Sequence, residues 1–154
     1  MPGTAGVVVS VTPWDDADAA RLRAAQRVEL DERYGTDDHE PGTPPSAADI
    51  DVFVLAHVDG IAVGCGGLRL LEVGAAEIKR MYVEPFSRGS GVATAVLRKL
   101  ESLARDRSIS RLLLETGPAQ PDAIRFYERE GYTSIPNFGP YVGGELSVCF
   151  ARDL

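Results

Sequence analysis

The stretch VEPFSRGSGVATAVL, residues 83–97, decides how the rest of the chain is read. It leaves an apolar strand, turns at Pro85 and opens a helix. The helix's apolar positions Val92, Val96, Leu100 and Leu103 keep a helical period beside Ala93, Leu97 and Ala104. Gly89 and Gly91 stand at the helix start, where the first N–H groups have no intrahelical acceptor and point outward. Such a terminus favours anions, phosphates above all, and Arg88 adds a full positive charge at the same mouth. Two named phosphate motifs fit poorly. The nucleotide loop GxxxxGK followed by Ser or Thr is absent. Gly89-Ser90-Gly91-Val92-Ala93-Thr94 imitates part of the dinucleotide GxGxxG, with Glu115 at a later strand end. However, Thr94 holds the third position, and five residues separate the strand from Gly89 where a tight turn is required.

Upstream, Val7 to Val11 reads as a first strand, ended by Thr12-Pro13. Asp15 is placed to cap a long helix running to Tyr34, with Gly35 as its stop. Thr36 to Asp49, rich in Pro, Gly and Asp, predicts a loop with one helical turn. A meander follows: Asp51 to His57, a hairpin turn at Asp59-Gly60, Ile61 to Leu71, a turn at Glu72 to Gly74, and Ala76 to Val83. Downstream come a buried strand, Arg111 to Thr116, and a helix, Gln120 to Glu130, closed by Gly131. Two last strands, Tyr132 to Ile135 and Glu145 to Ala151, are joined by a loop at residues 136–141. The order β-α-β-β-β-α-β-α-β-β predicts one α/β (α+β) domain over residues 1–154. Its sheet is mixed, mostly antiparallel, of six to seven strands flanked by helices.

Composition narrows the classes of function. At 154 residues, 44% hydrophobic and 25% charged, the chain has the makings of a packed core. Sixteen Lys and Arg against 23 Asp and Glu leave a net charge of −7, which argues against a nucleic acid backbone as partner. No apolar run nears the ~20 residues that a membrane helix needs. Met1 to Thr12 lacks the basic start of a secretory leader. Cys65 and Cys149 are far apart, without metal-ligand spacing, and read as buried free thiols in a reducing cytoplasm.

The pattern Arg88-x-x-Gly91-x-Ala93 resembles the pyrophosphate loop of the GNAT superfamily of acyl-CoA-dependent N-acetyltransferases. Ala76 to Val83 (AEIKRMYV) is similar to the family's fourth strand. Ala123-Ile124-x-Phe126-Tyr127-Glu128-x-x-Gly131-Tyr132 resembles its late helix and following strand. The three lie in the family's order, and the resemblance spans residues 5–152. It departs at Gln120-Pro121, where many members open the late helix with Asn, and before Val52, where the match is one of kind only.

The resemblance implies a GNAT fold and transfer of an acetyl group from acetyl-CoA directly to an amine, with a small molecule as the expected acceptor. It also implies roles for particular residues. Backbone groups of Met81, Tyr82 and Val83 would run beside the pantetheine arm, and those of Gly89, Ser90, Gly91, Val92 and Ala93 would hold the pyrophosphate, with Arg88, Gln120 and Phe126 nearby. Tyr127 would hydrogen-bond the departing sulfur. Glu77, eleven residues before Arg88, is the first candidate base, competing with a plain structural role paired to Lys79; Glu115 is the reserve. Phe138 and Tyr141 are candidates to wall the acceptor pocket or to anchor their loop, and Glu29 and Tyr34 have similar standing. His39 reads as a solvated loop residue, and His57 has no recognisable partner. No metal is expected, nor a covalent intermediate, and the state is monomer or homodimer. The rival readings are an acyl-CoA sensor without catalysis and an acetyltransferase acting on a protein amine.

Overall fold

Seven strands build one sheet in the order β1-β2-β3-β4-β5-β7-β6 in the computed structural model, which describes residues 6–154. The first five residues of the stretch compared with a secretory leader lie outside the described residues. The strands are β1 (Val7–Val11), β2 (Val52–Val58), β3 (Ile61–Glu72), β4 (Ala75–Val83), β5 (Arg111–Thr116), β6 (Thr133–Ile135) and β7 (Val148–Asp153). Every neighbouring pair is antiparallel except β4 and β5, so the expected mixed sheet is present. Three helices complete it: α1 (Ala17–Tyr34), α2 (Val92–Asp106) and α3 (Pro121–Arg129).

Helix α1 is capped by Asp16 rather than Asp15. The Asp16 carboxylate accepts from the Asp18 and Ala19 amides at 3.0 and 3.1 Å, and Gly35 ends the helix in the left-handed region. Ala19 and Leu22 are its fully buried residues, packed on Phe53, Leu55 and Cys65. Helix α2 is far more amphipathic. It sinks Val92, Val96, Leu97 and Leu100 into the other face of the sheet, each burial contributing about 1.5–3 kcal/mol. Gly66 on β3 makes this close approach possible, since a Cβ there would lie 2.8 Å from the Met81 sulfur and 3.0 Å from Val96. Glu101 is a polar exception on the buried face. Arg98, Arg152 and the Tyr132 hydroxyl hold its carboxylate at 2.7, 2.8 and 2.8 Å, so the buried charge is satisfied.

Two expectations are corrected. The last strand begins at Val148, not Glu145, because the Asn137 amide donates to the carbonyls of Tyr141, Gly144 and Ser147 and rounds that segment into a loop. Strand β5 is not buried throughout. Leu112, Leu114 and Thr116 face the core, while Arg111, Leu113 and Glu115 are only half-buried on the opposite face.

The functional geometry begins at an irregularity in β4. Cys65 lies opposite Tyr82, yet Gly67 lies opposite Lys79, so two steps along β3 meet three along β4. The extra residue is accommodated at Arg80, which takes a φ of +59°, a conformation that costs about 1–3 kcal/mol in a residue other than glycine. Strands β4 and β5 pair only from Ala75–Glu77 to Arg111–Leu113. Beyond Glu77 they part, and a cleft opens between them.

Candidate active site

The cleft has an outer groove and an inner chamber. The outer groove, about 580 Å3, is lined by Met81, Tyr82 and Val83, by Arg88, Gly89, Gly91, Ala93 and Thr94, and by Gln120, Phe126 and Tyr127. The N-terminus of α2 opens onto it. Gly91 occupies the cap position with φ of +88°, and no side chain caps the helix there, which leaves first-turn N–H groups for an external acceptor. Arg88 is less available than its charge suggests. It donates to the Val83 carbonyl at 2.8 Å and to Glu29 at 2.8 Å, so Glu29 enters the groove as a partner of Arg88. Val92 is buried in the core and Ser90 donates to the Ser87 carbonyl, so neither side chain lines the groove. Along β4, the Gln26 amide donates to the Met81 carbonyl at 2.8 Å and holds the irregular backbone against α1.

The inner chamber, about 100 Å3, lies where β4 and β5 diverge. Its wall includes Tyr34, His39, Glu40, Lys79, Arg80, Glu115 and Thr116. Six residues, Gln26, Leu30, Met81, Gln120, Ala123 and Tyr127, border both spaces. Tyr127 is therefore at the junction. Burial alone pushes its phenol above the ordinary range, and no protein group among the described residues hydrogen-bonds its hydroxyl.

The two candidate carboxylates are placed very differently. Glu77 is 2% exposed and is not on the wall of either space. It is held by Arg69 at 3.3 Å, by Lys79 at 3.7 Å and by the Tyr141 hydroxyl. The first candidate base is thus enclosed by its own partners. Tyr141 is fully buried and hydrogen-bonded to Glu77 and Lys79, and Phe138 packs edge-on against it at 5.2 Å, so this aromatic pair anchors its loop rather than walling the pocket. Glu115, the reserve, reaches the chamber. Burial raises its carboxyl to about 7, against the Ser147 hydroxyl at 2.9 Å and the charge of Lys79, which pull the other way.

Some chamber residues escape sequence reasoning. His39 is 8% exposed rather than solvated. It bonds Asp31 at 2.7 Å and stacks on Tyr34 at 5.1 Å. Tyr34 in turn accepts from the Gln120 amide at 3.2 Å. Glu40, Gln26 and Thr116 carried no motif at all. A usable signal lies at Lys79-Arg80, since two adjacent charged residues in an otherwise buried strand cannot both face solvent.

Donor chemistry suits an acyl-CoA: free helix-terminal amides for a pyrophosphate, and a β4 edge that β5 leaves uncovered beyond Glu77 for a pantetheine arm. Comparison with known proteins agrees. The Acetyltransferase (GNAT) family matches residues 15–132. An IAA acetyltransferase of Azospirillum brasilense is 38% identical over 103 residues, 66% of this chain and 67% of that protein. An amino-acid acetyltransferase of Mycobacterium tuberculosis is 32% identical over 87 residues, 55% of this chain and 47% of that protein. A solved structure from Klebsiella pneumoniae, assigned as an acyl-CoA N-acyltransferase, has a TM-score of 0.81 at 33% identity, covering 96% of this chain and 97% of its own. A GNAT family acetyltransferase from Elizabethkingia anophelis, solved with acetyl-CoA bound, shares the fold at a TM-score of 0.71 and 15% identity, covering 97% and 99%. The chain belongs to the GNAT family of acetyltransferases and is an acetyl-CoA-dependent N-acetyltransferase.

Proposed function

We infer that the enzyme acetylates a small primary amine held in the inner chamber, with Glu115 as the group that takes up the amine's proton and Tyr127 as the donor to the leaving sulfur. The observation that carries this reading is the junction: Tyr127 borders both spaces, and Glu115 borders the inner one. Bound acetyl-CoA supplies an activated acetyl group, and an amide bond to the acceptor nitrogen replaces its carbon–sulfur bond.

A primary ammonium has an ordinary pKa of about 10.4, so it must shed a proton before it can attack. A carboxyl raised to about 7 is a stronger base than an ordinary one and is ionised at slightly alkaline pH. Tyr127 has the opposite character. Its phenol is driven up by burial, so it holds its proton and serves as a hydrogen-bond donor; complete transfer to a thiolate, whose acid has a pKa of about 8.5, is uphill. Met81, Tyr82 and Val83 would pair with the pantetheine arm, Gly91 to Ala93 with the pyrophosphate, and Phe126 and Gln120 would flank them. Glu77 is read as an internal anchor for Lys79 and Arg69. The buried free thiols Cys65 and Cys149 support a reducing, cytoplasmic setting, and one catalytic domain accounts for the chain.

The test is release of free CoA thiol from acetyl-CoA with a panel of small amines and of peptides bearing free N-termini. Turnover on small amines, with little on peptides, is the expected result. Turnover confined to peptides would overturn the small-molecule assignment.

A further inference from the structure

The inner chamber contains more positive charge than an amine acceptor alone would need. Lys79 is 6% exposed, and it lines the chamber together with Arg80, the residue at the β4 irregularity. One carboxylate answers both. Glu40 meets Lys79 at 3.2 Å and Arg80 at 2.8 Å through its two oxygens, with Arg27 at 3.9 Å. Burial would raise the Glu40 carboxyl, yet Lys79, Arg80 and Arg27 hold it below the ordinary range, so it stands there as an anion.

Glu40 comes from the Pro- and Gly-rich segment between α1 and β2, and that segment is tied down without it. Arg27 donates to the Asp37 carbonyl at 2.7 Å, Arg69 to the Thr43 carbonyl at 3.2 Å and to Asp49 at 2.9 Å, and His39 bonds Asp31 at 2.7 Å. The Glu40 side chain can therefore leave the two cations while its backbone stays in place. Lys79 would still have Glu77 and the Tyr141 hydroxyl; Arg80 has no other ion-pair partner among the described residues. Elsewhere on the chamber wall, which also carries Glu115, the Gln26 carbonyl oxygen is buried without any hydrogen-bond partner among the described residues. That oxygen and the Glu115 carboxylate suit the N–H groups of an ammonium.

We propose that the acceptor is a small primary amine bearing a carboxylate, which displaces Glu40 from Arg80 and Lys79 while its nitrogen lies against Glu115 and Gln26. Glu40 stands in for the substrate's carboxylate when the chamber is empty, and keeps the two buried cations compensated. The proposal rests on the inner chamber being the acceptor site. An Arg80 guanidinium matches a carboxylate with two parallel hydrogen bonds, which a carboxamide cannot reproduce.

The experiment compares α-amino acids with the corresponding amino acid amides. It uses steady-state kinetics and, independently of turnover, calorimetry on the CoA-loaded protein. The amino acid should win by at least tenfold in kcat/KM and in affinity. Glu40→Gln should lower KM for the amino acid several-fold more than for the amide, while Arg80→Gln should erase the preference between them. Equal use of the amide, or a preference that survives Arg80→Gln in folded protein, overturns the proposal. A uniform rise in KM for both compounds in Glu40→Gln would make Glu40 a structural latch and overturns it too. Turnover on amides alone leaves small-amine acetylation standing while the proposal fails. Turnover on no amine, with calorimetry still favouring the acid, would sink the catalytic reading and leave the carboxylate site in place.

Discussion

The outer groove and the inner chamber of the cleft are built from different materials. The groove has one side formed by the β4–α2 stretch, residues 81–94, where peptide groups at a helix start attract anions, and another formed by α1 and α3 with the exposed charges of Arg33, Asp122 and Arg129. The chamber is lined by titratable side chains drawn from α1, the following loop, β4 and β5. Backbone dipoles are indifferent to pH and tolerant of side-chain change. Buried carboxylates, cations and phenols are neither. A co-substrate common to a whole family can be held by the first kind of surface, and the choice of acceptor and its proton chemistry falls to the second. Tyr127, which borders both, should be the most sensitive position.

Tyr127→Phe is the first way to break this division. It removes one oxygen, keeps the ring packed against Phe126 and Tyr132, and should lower kcat by roughly ten- to a thousandfold, as for a well-placed donor. CoA affinity, measured by calorimetry, should be unchanged. Wild-type turnover, with chemistry shown to be rate-limiting, would leave Tyr127 a packing residue.

Glu115→Gln tests the chamber alone. With a carboxyl at about 7, the wild-type rate should rise with pH as the carboxylate forms and level off above that value. In the variant this inflection should vanish, with a loss on the order of a hundredfold at pH 8 that shrinks as pH nears the amine's own pKa. Glu77→Gln should not move the inflection, since Glu77 lies behind Arg69, Lys79 and Tyr141. An inflection lost with Glu77 and kept without Glu115 would reverse the two roles.

The same contrast explains what could be read from residues alone. Strand alternation, the Asp59-Gly60 turn, the α2 period and the Arg88–Ala93 loop are local patterns, and the elements they predict are present with ends displaced by up to three residues. The β4–α2 side of the groove follows from them because its residues, 81–94, are neighbours in the chain. The chamber does not, because it depends on where β4 and β5 separate, and that is set by one extra residue at Arg80. Whether Glu77 or Glu115 reaches the cavity turns on that displacement. His39, set among acids and prolines, has the composition of a surface loop, yet it is buried against Asp31 and a Tyr34 ring that Gln120, far along the chain, bonds in turn.

Gly91→Ala tests the groove. A φ of +88° costs a non-glycine residue about 1–2 kcal/mol, and the helix start must shift to relieve it. CoA should bind about tenfold more weakly, a change of about 1.4 kcal/mol. The pH profile set by Glu115 should be unaltered. Unchanged affinity would remove the α2 terminus from the binding surface, and an altered profile would mean that the two regions are not independent.

The smallest effect concerns stability, and it separates the regions once more, since only the chamber should have one that depends on pH. The Glu115 carboxyl lies at about 7 in the folded chain against 4.5 when unperturbed, so the folded state holds that proton more tightly than the unfolded state does. The native protein is therefore penalised by ionising Glu115: the penalty is negligible well below 4.5, grows between 4.5 and about 7, and is constant above. Glutamine keeps the shape and removes the charge. At pH 8, Glu115→Gln should raise the unfolding free energy by on the order of 1 kcal/mol. That is less than the full displacement would give, because the new amide must find an acceptor beside Ser147. The advantage should fade as pH drops toward 4, measured as the variant-minus-wild-type difference in urea midpoint. Gly91→Ala should show no such trend. A Glu115→Gln variant less stable than the wild type at pH 8, with its deficit constant down to pH 4, would mean that the carboxylate is supported by its surroundings rather than strained by them.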